Sequence, residues 1–157
     1  MVTGFDLIGH NRTYQVHMAK RVAAYIIDLL FVFAPLWSVL YFSGERAAWV
    51  YGVLGGVVLY LYSVAGEAIA RTTCGKYIAG LEVRPVRGAM TFSKAAVRNI
   101  PKFFWFIFPF LDILAGMLVD GDPRQRWSDH VLGTTVAQSH LIRARTHHAA
   151  AARNGAR

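Results

Sequence analysis

The chain has few of the residues on which chemistry in water usually depends. Among 157 residues there are one cysteine and nine acidic residues, and only 17% of the chain is charged. The single cysteine, Cys74, excludes an internal disulfide and leaves the compartment open. The sequence has no paired Cys/His pattern for a metal and no credible Ser-His-Asp arrangement. We therefore expect no metal, no cofactor and no enzymatic activity.

Long apolar runs take the place of charge. The chain is 55% hydrophobic with a mean hydropathy of +0.35, too apolar for an ordinary soluble domain of this size. Three windows have the length of roughly 20 residues that a helix needs to cross a bilayer. They lie at about residues 19–42, 47–70 and 100–119. These runs predict an all-α integral membrane protein.

The windows also divide the chain. We expect residues 1–18 to form a polar N-terminal segment and residues 19–139 to form one membrane domain. Residues 140–157 are rich in Ala, Arg and His without a hydrophobic pattern, which predicts a disordered basic tail.

Basic residues indicate the orientation in the membrane. The formal net charge is +8, and Lys and Arg mark the cytoplasmic side. The segment before the first window and residues 71–102 are basic, whereas the loop at 43–46 holds one arginine. We expect a plasma (inner) membrane protein with a cytoplasmic N-terminus, in which the first two windows form a helical hairpin.

The third window leaves two arrangements open, because Pro109 and Asp112 interrupt it. A proline inside a helix removes a hydrogen bond and kinks the chain, and broken helices survive at membrane depth when packed against protein or water. A broken, re-entrant segment keeps the arginine-rich tail in the cytoplasm and is slightly favoured for that reason. A single crossing with the tail outside stays open.

The basic segment between the second and third windows contains two predicted elements. Residues 75–85 carry Tyr, Ile, Leu and Val between Gly and Pro, which predicts a short extended element. Residues 91–102 predict an amphipathic interfacial helix, with Lys94, Arg98 and Lys102 recurring on one face. We expect this face to contact anionic lipid headgroups, which explains the basic surplus better than nucleic-acid binding.

A carboxylate inside the first window is the strongest functional lead. Asp28 lies about a third of the way into a ~30 Å hydrocarbon core, where an ionised group needs a partner or a proton. Arg21 shares its helix face, about 10 Å away along the axis. Two roles stay open for Asp28: a proton or cation site facing a cavity, and an interhelical clamp. Both place it in the protein interior.

Two further acids lie near membrane depth. Glu67 is expected to pair with Arg71 on the same helix face, at i+4. Asp112 is a candidate to join Asp28 in one buried cluster, in which one of the two carboxyl groups would bind a proton.

Glycines in the second window indicate close helix packing in lipid. Gly52 and Gly56 are four residues apart, a spacing that lets helices approach closely. The partner is the first window or another copy of the chain, and we favour packing within the chain.

The order of several short motifs resembles the RDD family of small bacterial integral membrane proteins, named for one arginine and two aspartates. Arg21 and Asp28, in Lys-Arg-Val-Ala-Ala-Tyr-Ile-Ile-Asp, are similar to the family's first-helix pattern. Residues 75–83 resemble its central Gly-Lys segment, and residues 126–136 resemble its closing segment. Asp129 is therefore the best match for the second named aspartate.

The resemblance covers about residues 17–138 and implies a multi-pass membrane protein, for which transport of some ligand has been proposed. Two functions stay open. One is an oligomeric transporter or ion-coupled carrier that uses Asp28 with help from Asp112, and the other is an accessory or scaffold subunit of a larger membrane complex. In either case we expect an ion pair between Arg21 and Asp129 at the inner surface.

Overall fold

A computed structural model describes residues 12–44, 47–86, 88–118 and 126–138. The expected basic tail at 140–157 and most of the expected polar segment at 1–18 lie outside the described residues. The described elements are, in order, α1 (Arg12–Phe42), α2 (Ala48–Ile69), α3 (Cys74–Ile78), β1 (Leu81–Pro85), α4 (Phe92–Phe103), α5 (Phe108–Leu118), α6 (Trp127–Leu132) and β2 (Thr134–Gln138).

Helices α1 and α2 are long and apolar enough to cross a membrane, as predicted for the first two windows. Only 17% and 28% of their most apolar stretches are buried, so most of their side chains face outward. An outward-facing apolar surface of this extent is expected in lipid, where the hydrophobic effect does not oppose it. Helix α1 begins at Arg12, before the predicted boundary, because the polar residues that precede the window continue the same helix.

Glycines in α2 allow close contacts within the chain, as favoured. A methyl group on Gly55 would overlap the Phe33 ring of α1, and one on Gly56 would overlap the Phe103 carbonyl of α4. Gly52 has open space at the same position. The glycines that make close contacts are therefore the adjacent Gly55 and Gly56, which face two different elements. The predicted pair Gly52 and Gly56 does not form one contact surface.

Strands β1 and β2 form a two-stranded antiparallel sheet in which Val83 lies opposite Val136. Both side chains are buried with Leu81 against Ala24 of α1, which gives the sheet an apolar face on the first helix. The extended element predicted for residues 75–85 is found only in its second half, since its first residues belong to α3.

The all-α prediction needs a correction, because it lacks β2. A lone strand leaves its backbone donors and acceptors unpaired, so β1 needs a partner. That partner comes from residues 134–138, far away in the sequence, and pairing at this distance leaves no local signal.

The third window is broken, but not at the predicted proline. Helix α4 ends at Phe103, residues 104–107 form a turn, and α5 starts before Pro109. Pro109 is the second residue of α5, where its missing N–H has no intrahelical acceptor to lose.

The turn at 104–107 packs between the two long helices. Trp105 donates its indole N–H to the carbonyl of Gly52 (3.1 Å), and its own carbonyl accepts from the Tyr25 hydroxyl. Its ring lies on Phe33, with 4.7 Å between ring centroids. The turn therefore contacts α1 and the first turns of α2.

Candidate functional site

Glu67, in the last turn of α2, is the centre of a buried ionic cluster. Its carboxylate contacts Lys76 of α3, Nη1 of Arg98 at 3.4 Å and Nζ of Lys102 at 3.7 Å. The amide of Asn99 donates to Oε2 at 3.0 Å. Three cationic groups and one amide thus meet a single carboxylate with no exposed surface.

The predicted pair between Glu67 and Arg71 is wrong. Arg71 lies after the end of α2, in the left-handed backbone region (φ 57°), and is exposed. The chain turns there, and Lys76 comes back onto Glu67 from the short helix α3. An i+4 pair requires the helix to continue, and this one has ended.

Asp129 is a second buried centre, on α6. Its carboxylate contacts Nε of Arg98 at 2.7 Å and Nη2 of Arg21 at 3.2 Å, and it accepts from the hydroxyl of Thr134 at 2.9 Å. The predicted ion pair between Arg21 and Asp129 is confirmed. Burial opposes ionisation of Asp129, but the guanidinium groups of Arg98, Arg21 and Arg126 outweigh it and lower its pKa to about 2.

The predicted headgroup contacts do not hold for Arg98 and Lys102. Both side chains are 2% exposed, and Lys102 also donates to the hydroxyl of Ser63 at 2.9 Å. Lys94 alone of the three is partly exposed. Helix α4 is amphipathic as predicted, but its polar face turns into the protein, and apolar residues such as Ile100 face outward.

Asp28 is 1% exposed and holds the start of α3. The Thr73 hydroxyl donates to Oδ2 at 2.6 Å, while the Gly75 N–H and the Tyr62 hydroxyl donate to Oδ1 at 2.8 and 3.0 Å. A side chain on Gly75 would overlap the carbonyl of Ala24, so only glycine permits this approach. Within the described residues, no cationic side chain forms an ion pair with Asp28.

Asp112 of α5 holds the start of α6 in a similar way. The backbone N–H of Ser128 donates to Oδ1 at 2.9 Å and its hydroxyl donates to Oδ2 at 2.8 Å. Nη1 of Arg126 lies 3.9 Å from Oδ2. The predicted cluster of Asp28 with Asp112 does not form, because each carboxylate holds a different short helix and they share no partner.

The contacts close a ring through five helices. From α1 it passes to α3, α2, α4 and α6, and then returns to α1. Its members are Asp28, Gly75, Lys76, Glu67, Arg98, Asp129 and Arg21. Arg21 and Asp28, about two turns apart on one face of α1, are the two points at which the ring attaches to the first helix.

Several residues, some in the ring and some bonded to it, were not identified from the sequence as site residues. Lys76 stands in the Gly-Lys stretch that carries the family resemblance, so its motif was a usable signal. Thr73, Tyr62 and Asn99 had no such signal, because each acquires its role from a residue distant in sequence.

This fold defines a small helical membrane protein whose two spanning helices are joined near one end by a buried ionic ring. The chain belongs to the RDD family, whose model matches residues 16–133. That range contains every member of the ring, including Arg21, Asp28 and Asp129. No curated protein and no solved structure matches this chain.

Proposed function

We propose that this chain is an ion- or proton-coupled carrier in which Asp28 binds the coupling proton or cation. The observation that carries the proposal is a buried carboxylate, within a membrane-length helix, whose three donors are all uncharged. A carboxylate at membrane depth is expected to have a function. Since none of the described residues forms an ion pair with Asp28, a change in its charge breaks no such pair.

Lys102 provides a route by which that charge reaches the rest of the ring. It is near enough to Asp28 for electrostatic interaction. Its ammonium group also bonds Ser63 and approaches Glu67 at 3.7 Å. Loss of the negative charge at Asp28 therefore removes one attraction on the Lys102 ammonium group and leaves those of Glu67 and Ser63, which couples the site to α2 and α4.

We further propose that α4 and α5 form a re-entrant pair on the cytoplasmic side. Asn99, in the second half of α4, contacts Glu67 near the end of α2, and the turn that follows α4 reaches Gly52, near the start of α2. Helix α5 then returns, because Asp112 contacts Ser128 and the next residue, Asp129, contacts Arg21. Under this proposal the N-terminus and the tail lie on one side of the membrane, which the excess of basic residues in the loops indicates to be the cytoplasmic side.

Reporter fusions test this topology. The reporter is a protein that is active only in the cytoplasm. Fused to the N-terminus or to the C-terminus of this chain, it should be active in both cases, and inserted in the turn near Gly44 it should be inactive. An inactive C-terminal fusion, at normal expression, would instead support a single crossing by the third segment.

The carrier function is tested by Asp28→Asn in proteoliposomes. The amide oxygen still accepts from Gly75 and Tyr62, and the Thr73 hydroxyl can turn to accept from the amide N–H. The variant should therefore insert normally, but its cation-driven proton flux should fall at least tenfold. The flux is measured with a pH-sensitive dye after addition of alkali-metal cations. Asp112→Asn is the matched control and should keep its flux. Undiminished flux in Asp28→Asn at equal reconstitution contradicts the proposal.

A second function, as a non-catalytic accessory or scaffold subunit of a larger membrane complex, is favoured by an apolar cavity on the two long helices. An open apolar cavity of about 800 Å³ lies between α1 and α2, lined by residues that include Phe33, Trp37 and Tyr51. A single hairpin leaves this space to lipid, whereas a helix from another protein would fill it. Isolation in mild detergent and the mass of the intact complex decide between a stoichiometric partner and copies of this chain.

A further inference from the structure

The three donors to Asp28 differ in their access to the surroundings. Thr73 and Gly75 are buried, whereas Tyr62 is partly exposed. The Tyr62 ring packs on Phe31 of α1, with 5.6 Å between ring centroids, and Phe31 itself is largely exposed. Because the outward-facing surface of α1 and α2 is expected to face lipid, the side of Tyr62 that meets water is the one beside the partly exposed Cys74, at the start of α3.

The Tyr62 hydroxyl has the connections that a proton relay requires. Its hydrogen points to Oδ1 of Asp28, and one of its lone pairs accepts the backbone N–H of Cys74 at 2.7 Å. A hydroxyl oxygen has a second lone pair, which is available to water. Cys74 is partly exposed, so the hydroxyl lies next to a position that meets the surface.

The other titratable groups around Asp28 are less suited to this task. From α1, Tyr25 interacts with Asp28, but its hydroxyl is committed to the carbonyl of Trp105. From α4, Lys102 is buried and bonded to Ser63. The Cys74 thiol, on α3, is not among the groups that bond to Asp28.

We propose that Tyr62 is the residue through which Asp28 exchanges its proton with water. In the loading step the hydroxyl gives its proton to Asp28 while its oxygen takes one from a water at the surface, which leaves tyrosine neutral and hydroxide in solution. The reverse step unloads Asp28. This inference rests on the proposed function, because it assumes that Asp28 changes its protonation state in use.

The test measures Asp28 protonation directly, by its infrared carboxyl band after a pH jump on the purified full chain in detergent. The band is assigned by its loss in Asp28→Asn. Tyr62→Phe keeps the ring on Phe31 and removes only the hydroxyl, so protonation should slow at least tenfold. Tyr60→Phe, on the same helix but not a partner of Asp28, is the matched control and should leave the rate unchanged.

Cys74 supplies a readout that separates a relay from a clamp. It is the single thiol of the chain, and its labelling by a water-soluble maleimide reports release of the first residues of α3. Slower protonation with labelling within about twofold of the parent supports the relay. An unchanged protonation rate, or slow protonation accompanied by faster labelling, overturns it.

Two further results keep the inference and the proposed function apart. If Asp28 protonates slowly in Tyr62→Phe but Asp28→Asn retains flux, the relay stands and the carrier role fails. If Asp28 shows no protonation change between about pH 4 and 9, the relay fails. Should Tyr62→Phe not insert, 3-fluorotyrosine at position 62 makes the hydroxyl more acidic without removing it, and an unaltered protonation rate then overturns the relay.

Discussion

Asp28 and Asp112 bind the starts of α3 and α6 through the same pattern of hydrogen bonds, which we call the Asp28 clasp and the Asp112 clasp. In each case one carboxylate oxygen accepts the N–H of the second residue of a short helix, Gly75 or Ser128, at 2.8 or 2.9 Å. The other oxygen accepts a nearby hydroxyl, at 2.6 or 2.8 Å. Both carboxylates thus satisfy donors that the helix start leaves unpaired.

The two clasps differ in the remaining contact. Asp112 has the guanidinium of Arg126 at 3.9 Å, whereas Asp28 has the neutral hydroxyl of Tyr62 at 3.0 Å. Loss of the charge at Asp112 would leave the Arg126 guanidinium without this partner, whereas loss of the charge at Asp28 breaks no ion pair among the described residues. Under the proposed function, the same hydrogen-bond geometry therefore serves as a permanent joint at Asp112 and as an exchange site at Asp28.

The largest effect is expected from Glu67, which lies in the ring near the Asp28 clasp. Glu67→Leu leaves the buried cations of Lys76, Arg98 and Lys102 without this carboxylate, and breaking a buried ion pair destabilises by about 3–5 kcal/mol. We expect little monodisperse protein and a sharp fall in the thermal midpoint in detergent. Glu82→Leu is the control, because its pair with Arg84 is partly exposed and should matter little. A stable Glu67→Leu protein would show that the cations find other partners.

Gly75→Ala should break the Asp28 clasp alone. Its methyl group meets the backbone carbonyl of Ala24, which cannot move aside without shifting α1. Overpacking of this kind typically costs about 1–3 kcal/mol, and the undocked α3 should let maleimide reach Cys74 faster. The matched change in the other clasp, Ser128→Ala, removes one hydroxyl and should cost only about 1 kcal/mol. Equal labelling of Cys74 in Gly75→Ala and the parent would argue that α3 stays docked.

Exchanging carboxylate for amide should separate stability from flux. Asp112→Asn leaves Arg126 without its charge partner and should lower the thermal midpoint more than Asp28→Asn does, by the equivalent of about 1–2 kcal/mol. Flux should show the opposite order, with Asp28→Asn the more damaging. The same rank order in both assays would remove the distinction drawn between the clasps.

The smallest expected effect is that of pH, between 5 and 7, on the stability contributed by Asp129, a carboxylate held by cations. Its pKa is about 2 in the folded protein, below the value of about 3.9 in an unfolded chain. The stability that its ionisation contributes is therefore complete above about pH 4 and is lost as the pH falls toward 2. The difference in thermal midpoint between the parent and Asp129→Asn should be constant from pH 5 to 7 and should become smaller below pH 4. A difference that narrows near pH 6 would contradict this assignment.

Local patterns sufficed for some of these features. The lengths of the apolar runs predicted α1 and α2. The ion pair between Arg21 and Asp129 was predicted because both residues were expected at the inner surface of the membrane. The Tyr, Ile, Leu and Val residues between Gly and Pro predicted an extended element over residues 75–85, of which only Leu81–Pro85 is a strand. The break of the third window was also predicted, although Pro109 was a misleading marker because a proline is accommodated at a helix start.

The amphipathic pattern of α4 predicted the helix but not the direction in which its polar face points. Periodicity predicted a polar face containing Arg98 and Lys102, but not what that face would meet. In water the polar face of a helix turns outward, whereas here the apolar face is outside and the cations reach Glu67 and Asp129 inside. The choice depends on the surroundings of the helix, which its own residues do not encode.

By itself, then, the amino-acid sequence determined the membrane helices, the amphipathic segment and the presence of a carboxylate at depth, because these follow from composition and periodicity along the chain. Only the tertiary structure decided which cations meet Glu67, that β2 pairs with β1, and that Asp28 has neutral donors while Asp112 has Arg126. Those outcomes depend on contacts between residues far apart in the chain, and the charge state of a buried carboxylate is set by such neighbours.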